Sequence, residues 1–227
     1  MEVLEIWWFR IRLSVLYIIY FDILCICLHI DFLPITAFMK VFILGHSYVR
    51  DLARLNFNSL KLNPLVTLEI SYSAFPGARF SHFLENADCL QDLFNVQPDF
   101  LVVVLGGNDF DNKTSLSDIC DHAKAFYCML KNNLPKTKIF ATQIESRFYR
   151  PENRFDCPEA TQYKKVTSYF NKFLKKLTYV DNLICILGPS RLSNKDLFKP
   201  DGVHLTLEGV RKLLDIIKSF LVNKVSE

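Results

Sequence analysis

The sequence predicts an α/β protein in which helices connect the strands of a five-stranded parallel sheet. From Lys40 onward, short apolar segments alternate with longer segments of helical periodicity, which is typical of strands linked by crossover helices. The chain has 227 residues, of which 50% are hydrophobic, enough to bury one core and too few to require two domains. No internal repeat or low-complexity segment interrupts the alternation. We therefore expect one globular domain.

Each expected strand is a short apolar run, and each expected helix a longer amphipathic one. The strands are expected at residues 41–44, 65–70, 100–105, 138–142 and 183–187. The helices are expected at residues 48–57, 115–132, 159–177 and 207–222. The last helix has an apolar face formed by Val210, Leu213, Leu214, Ile217 and Leu221. In an open parallel sheet the ligand site lies beyond the carboxyl ends of the strands, so the residues that follow each strand are the candidates for function.

Residues 1–38 differ from the rest because they are almost continuously apolar, although Asp22, His29 and Asp31 interrupt them. We expect the folded domain to comprise residues 39–227, with residues 1–38 as a loosely attached apolar extension. A membrane anchor is the alternative, but a spanning helix needs about 20 apolar residues and Asp22 would be costly at its centre. A signal peptide fits poorly: Arg10 and Arg12 supply the positive start, but Cys25-Ile26-Cys27 is a weak candidate for the small residues of a cleavage site.

Composition restricts the partners and the compartment. Lys and Arg total 27 against 24 acidic residues, and their scattered positions argue against a dedicated nucleic-acid surface. The densest basic group, Lys172, Lys175 and Lys176, is interpreted as a solvated helix face. The seven cysteines, an odd number, form no CxxC pair, and no histidine lies at metal-ligand spacing from them. We therefore predict neither a disulfide framework nor a metal site. A reducing, cytoplasmic location is expected, with a membrane-anchored or secreted protein as the alternative through residues 1–38.

A serine follows the first expected strand directly, in Gly45-His46-Ser47, and opens the next helix. Its hydroxyl would lie at a helix N-terminus, where the partial positive charge favours a developing oxyanion. The alternative is a plain helix N-cap, a role that serine fills well.

Two loops after other strands offer hydrogen-bond donors. The first, Phe75-Pro76-Gly77-Ala78-Arg79, is predicted to be a turn in which Gly77 points its N–H into a cavity, or else an ordinary Pro-Gly turn. The second, Leu105-Gly106-Gly107-Asn108-Asp109, ends the most apolar strand and places the uncharged amide of Asn108 at the edge of the sheet. Such an amide suits an oxyanion, but the same residues also suit a simple turn.

An acidic residue and a histidine precede the last expected helix, whose N-cap is expected to be Thr206. Only three positions separate Asp201 from His204, so the carboxylate can reach one ring nitrogen and leave the other for Ser47. A serine hydroxyl is a poor nucleophile unless a histidine takes its proton and a carboxylate orients that histidine. Ser47, His204 and Asp201 are therefore the candidate nucleophile, base and orienting acid. A structural turn at a helix start is the alternative.

With these elements in chain order, the sequence resembles the SGNH hydrolases, a branch of the GDSL esterase and lipase superfamily. The match covers about residues 40–222, and its most specific parts are GGND at residues 106–109 and DGVH at residues 201–204. The resemblance implies a three-layer α/β/α sandwich of the flavodoxin-like kind. It also implies a serine esterase that hydrolyses carboxylic esters of small molecules, glycans or lipids through an acyl-enzyme, with no cofactor or metal.

The resemblance assigns roles to particular residues. It implies that Ser47 attacks, that His204 is the base and that Asp201 orients it. It further implies an oxyanion hole formed by the backbone N–H groups of Ser47 and Gly77 and by the side chain of Asn108. Arg79, Phe110 and the loop Arg147-Phe148-Tyr149-Arg150 are candidates for the wall of the substrate pocket, with surface packing as the alternative.

One departure from the family pattern is His46, which stands where the family usually has an aspartate that braces neighbouring loops. Serine blocks of this kind are also similar to those in the esterase-like domains of animal retroelements. The departure therefore leaves a second hypothesis open, a catalytically weak or inactive binding domain of retroelement origin. A flavodoxin-like nucleotide binder is a third, but Gly45-His46-Ser47 is too short for a phosphate loop and no Lys-Ser or Lys-Thr follows it.

Overall fold

A six-stranded sheet forms the centre of the computed structural model, which describes residues 37–111, 114–144, 160–179, 184–187, 192 and 194–225. The strands are β1 (Ala37–Gly45), β2 (Ser59–Asn63), β3 (Val66–Ala74), β4 (Phe100–Val104), β5 (Lys138–Thr142) and β6 (Cys185–Leu187). Their order across the sheet is β2-β3-β1-β4-β5-β6. Residues 1–36 lie outside the described residues, so the extension expected at residues 1–38 and the domain boundary at residue 39 stay predictions.

Five of the strands are parallel, as predicted, and their order is that of flavodoxin-like sheets. The prediction of a five-stranded sheet was incomplete, because β2 adds a sixth strand antiparallel to β3. Its residues Ser59–Asn63 alternate between exposed and half-buried positions. An edge strand of this kind lacks the continuous apolar run by which the buried parallel strands were recognised.

Six α-helices flank the sheet within the described residues. They are α1 (Ser47–Ala53), α2 (Phe80–Glu85), α3 (Gln91–Val96), α4 (Leu116–Asn133), α5 (Ala160–Tyr179) and α6 (Leu207–Val225). The sequence predicted α1, α4, α5 and α6 within a few residues, although α1 ends four residues earlier than expected. It missed α2 and α3, since six residues are too few to show helical periodicity.

Side chains of the central strands alternate between two apolar cores, one on each face of the sheet. On β1, Phe42 and Leu44 pack into the core beneath α2, α4 and α5. Val41 and Ile43 pack into the opposite core, which α1 and α6 cover. The sheet thus forms the middle of three layers, and the α/β/α sandwich predicted from the resemblance is confirmed.

The register of the strands aligns the ends of three neighbours. Gly45 at the end of β1 is paired with Ala74 at the end of β3 and with Val104 at the end of β4. The segments that follow these strands therefore start side by side at one edge of the sheet. In the described part of the chain, no helix is both long and apolar enough to cross a membrane.

Candidate active site

Backbone hydrogen bonds join the three segments that leave β1, β3 and β4. The N–H of Phe75 donates to the carbonyl of Gly45 at 2.8 Å, and the N–H of His46 donates to the carbonyl of Val104 at 3.2 Å. Gly45 is required at this junction, because a Cβ there would lie 2.1 Å from the Val104 oxygen. The Gly45-His46-Ser47 segment is thus held between its two neighbours.

Ser47 is the first residue of α1, and the N-cap is His46. The Nδ1 atom of His46 accepts from the N–H of Tyr48 at 3.4 Å, a long contact, so the side chain that caps the helix is the histidine. The interpretation of Ser47 as a plain N-cap is therefore wrong. Ser47 is 9% exposed, so little of the residue contacts solvent.

The loops that carry Gly77 and Asn108 are bound to each other. Nδ2 of Asn108 donates to the carbonyl of Ala78 at 3.0 Å, and Oδ1 of buried Asp109 accepts from the N–H of Phe80 at 3.2 Å. These bonds place the Asn108 amide beside the Gly77 turn, as expected for two parts of one site. Gly77 has a φ of +79°, and a Cβ on it would meet no atom within 4 Å, so its backbone borders open space.

Asp201 and His204 are in direct contact. Oδ2 of Asp201 lies 2.7 Å from Nδ1 of His204, while Oδ1 accepts from the N–H groups of Val203 and His204 at 2.8 Å each. Desolvation raises the pKa of Asp201, but the hydrogen bonds from His204 and Val203 outweigh it and leave the pKa below its ordinary value. The carboxylate is thus held ionised against one ring nitrogen of His204. Thr206 Oγ1 accepts from the N–H of Gly209 at 3.2 Å, as expected of the N-cap of α6.

A tyrosine connects the two halves of the candidate site. Oη of Tyr48, the residue after Ser47, donates to the carbonyl of Val203, the residue before His204, at 2.5 Å. The chain positions of these two residues differ by 155. Within the described residues, no hydrogen bond joins Ser47 Oγ directly to the His204 ring. Catalytic hydrogen bonds are often long before substrate binds, so this arrangement is compatible with a serine–histidine pair.

A pocket lies beside His46. The residues that line it are His46, Tyr48, Val104, Leu105, Gly107, Thr142, Gln143, Ile144, Tyr163 and Leu213. His46 and Tyr48 are the chain neighbours of Ser47, and Gly107 is that of Asn108.

The candidate pocket wall is only partly described. The prediction for Phe110 is wrong, because its ring is 6% exposed and packs in the core against Tyr163 and Phe170. Arg79 precedes α2, and its guanidinium donates to His82 Nε2 at 3.1 Å. The loop Arg147-Phe148-Tyr149-Arg150 lies outside the described residues.

Sequence reasoning missed the bridging role of Tyr48 and the bracing role of Asp109. Tyr48 stands directly after the serine, yet no sequence pattern shows that its hydroxyl meets a carbonyl so far along the chain. Asp109 is the last residue of the GGND segment. An aspartate that follows a Gly-Gly-Asn turn often accepts hydrogen bonds from backbone N–H groups, so its role could have been predicted from the sequence. Asp109 also raises the pKa of Tyr127 on α4, after the larger effect of that tyrosine's burial, which places the two side chains close together.

Comparison with known proteins shows which family and which folds this chain resembles. Residues 44–212 match the model of the GDSL-like Lipase/Acylhydrolase family, and no curated protein is significantly similar in sequence. A GDSL-like lipase from Bacteroides thetaiotaomicron has a similar fold, with a TM-score of 0.58 at 19% identity, over 82% of this chain and 89% of that one. So does the lipase/acylhydrolase from Enterococcus faecalis, with a TM-score of 0.59 at 13% identity, over 82% of this chain and 96% of that one.

A catalytic mutant of an acetylxylan esterase from Geobacillus stearothermophilus is a further structural neighbour. Its TM-score is 0.55 at 12% identity, over 82% of this chain and 95% of that one. At such identities the three structures establish the fold alone, whereas the family model covers well over half of the chain. This chain therefore belongs to the GDSL-like lipase/acylhydrolase family, a family of ester hydrolases.

Proposed function

We propose that this protein is a serine esterase that cleaves carboxylic esters through an acyl-enzyme, with Ser47 as nucleophile, His204 as base and Asp201 as its orienter. The observation that carries the proposal is the Asp201–His204 contact of 2.7 Å on a loop that Tyr48 ties to the helix of Ser47. A carboxylate that contacts one ring nitrogen of a histidine leaves the other nitrogen to take a proton, and the Tyr48–Val203 bond brings this histidine loop to the serine helix. Membership of an ester hydrolase family supports the reaction class.

In the proposed reaction, His204 takes the proton of the Ser47 hydroxyl while Oγ forms a bond to the ester carbonyl carbon. The tetrahedral oxyanion accepts from the backbone N–H groups of Ser47 and Gly77 and from the Asn108 amide. The bond to the alcohol oxygen then breaks, and His204 returns its proton to that oxygen. Water repeats the sequence with His204 as base, which releases the acid and restores Ser47.

Hydrolysis of p-nitrophenyl acetate by the purified protein tests the assignment. We expect the Ser47→Ala variant to lose almost all activity, because the residual rate of a serine hydrolase without its nucleophile is several orders of magnitude lower. Ser59→Ala is the matched control, since Ser59 lies exposed on the edge strand β2 and away from the three strand ends. Equal rates for Ser47→Ala and the parent would rule out the assignment.

A catalytically weak or inactive binding domain is the second candidate, and the lack of a direct hydrogen bond between Ser47 and His204 within the described residues favours it. The two candidates differ in the reactivity of the serine. An activated serine reacts with a fluorophosphonate, whereas a serine without a base does not.

A further inference from the structure

One peptide group sits between Tyr48 and Asp201. Its carbonyl belongs to Val203 and accepts from Tyr48 Oη at 2.5 Å, and its N–H belongs to His204 and donates to Asp201 Oδ1 at 2.8 Å. Because a peptide group is planar and rigid, fixing both polar atoms fixes the orientation of the whole group. The Cα of His204 lies in that plane, so the two bonds define where the histidine side chain begins.

Tyr48 is itself held firmly. Its side chain is 6% exposed, and its ring meets the ring of His46 edge-on, with centroids 4.7 Å apart and planes at 70°. It lies on α1 next to Ser47, so the anchor of the histidine loop and the proposed nucleophile share one rigid element. His46, the residue that departs from the family pattern, therefore supports the tyrosine that reaches the opposite loop.

We propose that Tyr48 is a positioning residue for the reaction: through the Val203 carbonyl, its hydroxyl sets the place of His204 relative to Ser47. This inference rests on the proposed esterase function. Tyr48 acts on the histidine loop and not on the substrate. Its bond joins α1 to the loop before α6 in a chain that has His46, and not the usual aspartate, before the serine.

The Tyr48→Phe variant tests the proposal, because it removes the hydroxyl and keeps the ring. The matched control is Tyr72→Phe, since Tyr72 Oη also donates to a backbone carbonyl, that of Phe57, at 2.5 Å. Both variants lose one tyrosine–carbonyl bond, but only Tyr48 contacts the histidine loop. We expect the rate of fluorophosphonate labelling to fall about tenfold or more in Tyr48→Phe, and to stay within about twofold of the parent in Tyr72→Phe.

Steady-state kinetics and pH dependence separate positioning from general loss of structure. With p-nitrophenyl acetate, we expect kcat to fall in Tyr48→Phe while KM changes by less than about threefold, since the hydroxyl is bonded to protein. The Asp201–His204 contact lies within the loop and does not depend on the Tyr48 hydroxyl. In Tyr48→Phe we therefore expect the midpoint of the acid limb of the pH–rate profile to be unchanged and the plateau rate to fall. Amide hydrogen exchange should rise at residues 202–205 in Tyr48→Phe and not in Tyr72→Phe.

Several results would overturn the proposal. A Tyr48→Phe labelling rate within twofold of the parent would do so, as would equal losses in both tyrosine variants or failure of Tyr48→Phe to fold while Tyr72→Phe folds. These outcomes are distinct from failure of the esterase assignment itself. If the esterase assignment is wrong, Ser47→Ala is labelled as fast as the parent, whatever the labelling rates of the two tyrosine variants.

Discussion

At the residue scale, the half-buried carboxylate of Asp201 accepts from two backbone N–H groups and contacts the imidazole of His204. Burial alone would raise its pKa, but the bonds from His204 and Val203 lower it overall. A carboxyl group whose pKa is lower in the folded chain stabilises the fold fully above its unfolded pKa. That contribution is lost as the pH falls through the folded value.

We therefore expect Asp201→Asn to lower the melting temperature at neutral pH, and the difference from the parent to shrink as the pH falls below about 5, through the ordinary carboxyl pKa and then the lowered pKa of the folded chain. Its side chain is 44% exposed, so solvent screens the interaction and the difference should be small, less than about 4 °C. Thermal melting followed by circular dichroism across this range measures it. Asp215→Asn, exposed on α6, is the control, and a difference that grows as the pH falls from about 5 would contradict a lowered Asp201 pKa.

At the element scale, the junction of β1 with its neighbours depends on two glycines for different reasons. At Gly45 an added Cβ would lie 2.1 Å from the Val104 oxygen and 2.8 Å from its carbon, both backbone atoms that cannot move aside. At Gly77 the space is open, but the φ of +79° is strained for any residue with a Cβ. The first glycine is required by packing between strands, and the second by backbone conformation.

Gly45→Ala should lower the free energy of unfolding by about 2–3 kcal/mol or more, because β1 and β4 must separate. Gly77→Ala should lower it by about 1–2 kcal/mol, the strain of a left-handed residue. Urea unfolding of the two variants and the parent measures both values. A larger loss at Gly77 than at Gly45 would show that the strand junction is less tightly packed than the contacts indicate.

The same elements show how far a sequence predicts structure here. The buried strands β1, β4 and β5 were recognisable because both of their faces pack into apolar cores, which gives continuous apolar runs. The edge strand β2 was not recognisable in this way, because every second residue in it is exposed to solvent. The Asp201–His204 contact followed from a separation of three residues, whereas the Tyr48–Val203 bond follows only from how the sheet brings distant segments together.

At the scale of the whole molecule, the proposed site depends on the parallel sheet. Ser47, Gly77 and Asn108 follow three adjacent strands whose ends are in register, so the sheet order gathers them at one edge. His204 arrives from the far end of the chain, on the loop before α6, and α1 and α6 cover the same face of the sheet. The fold therefore brings the helix that begins at Ser47 and the loop that carries His204 together across 155 chain positions, where Tyr48 bonds to Val203.

Fluorophosphonate labelling of the intact protein, followed by mass spectrometric identification of the modified residue, tests this assembly most directly. We predict a single adduct on Ser47, formed at least about a hundredfold more slowly in a folded His204→Ala variant, because the base that activates the hydroxyl is gone. An adduct on another residue, or labelling of Ser47 at the parent rate without His204, would contradict it.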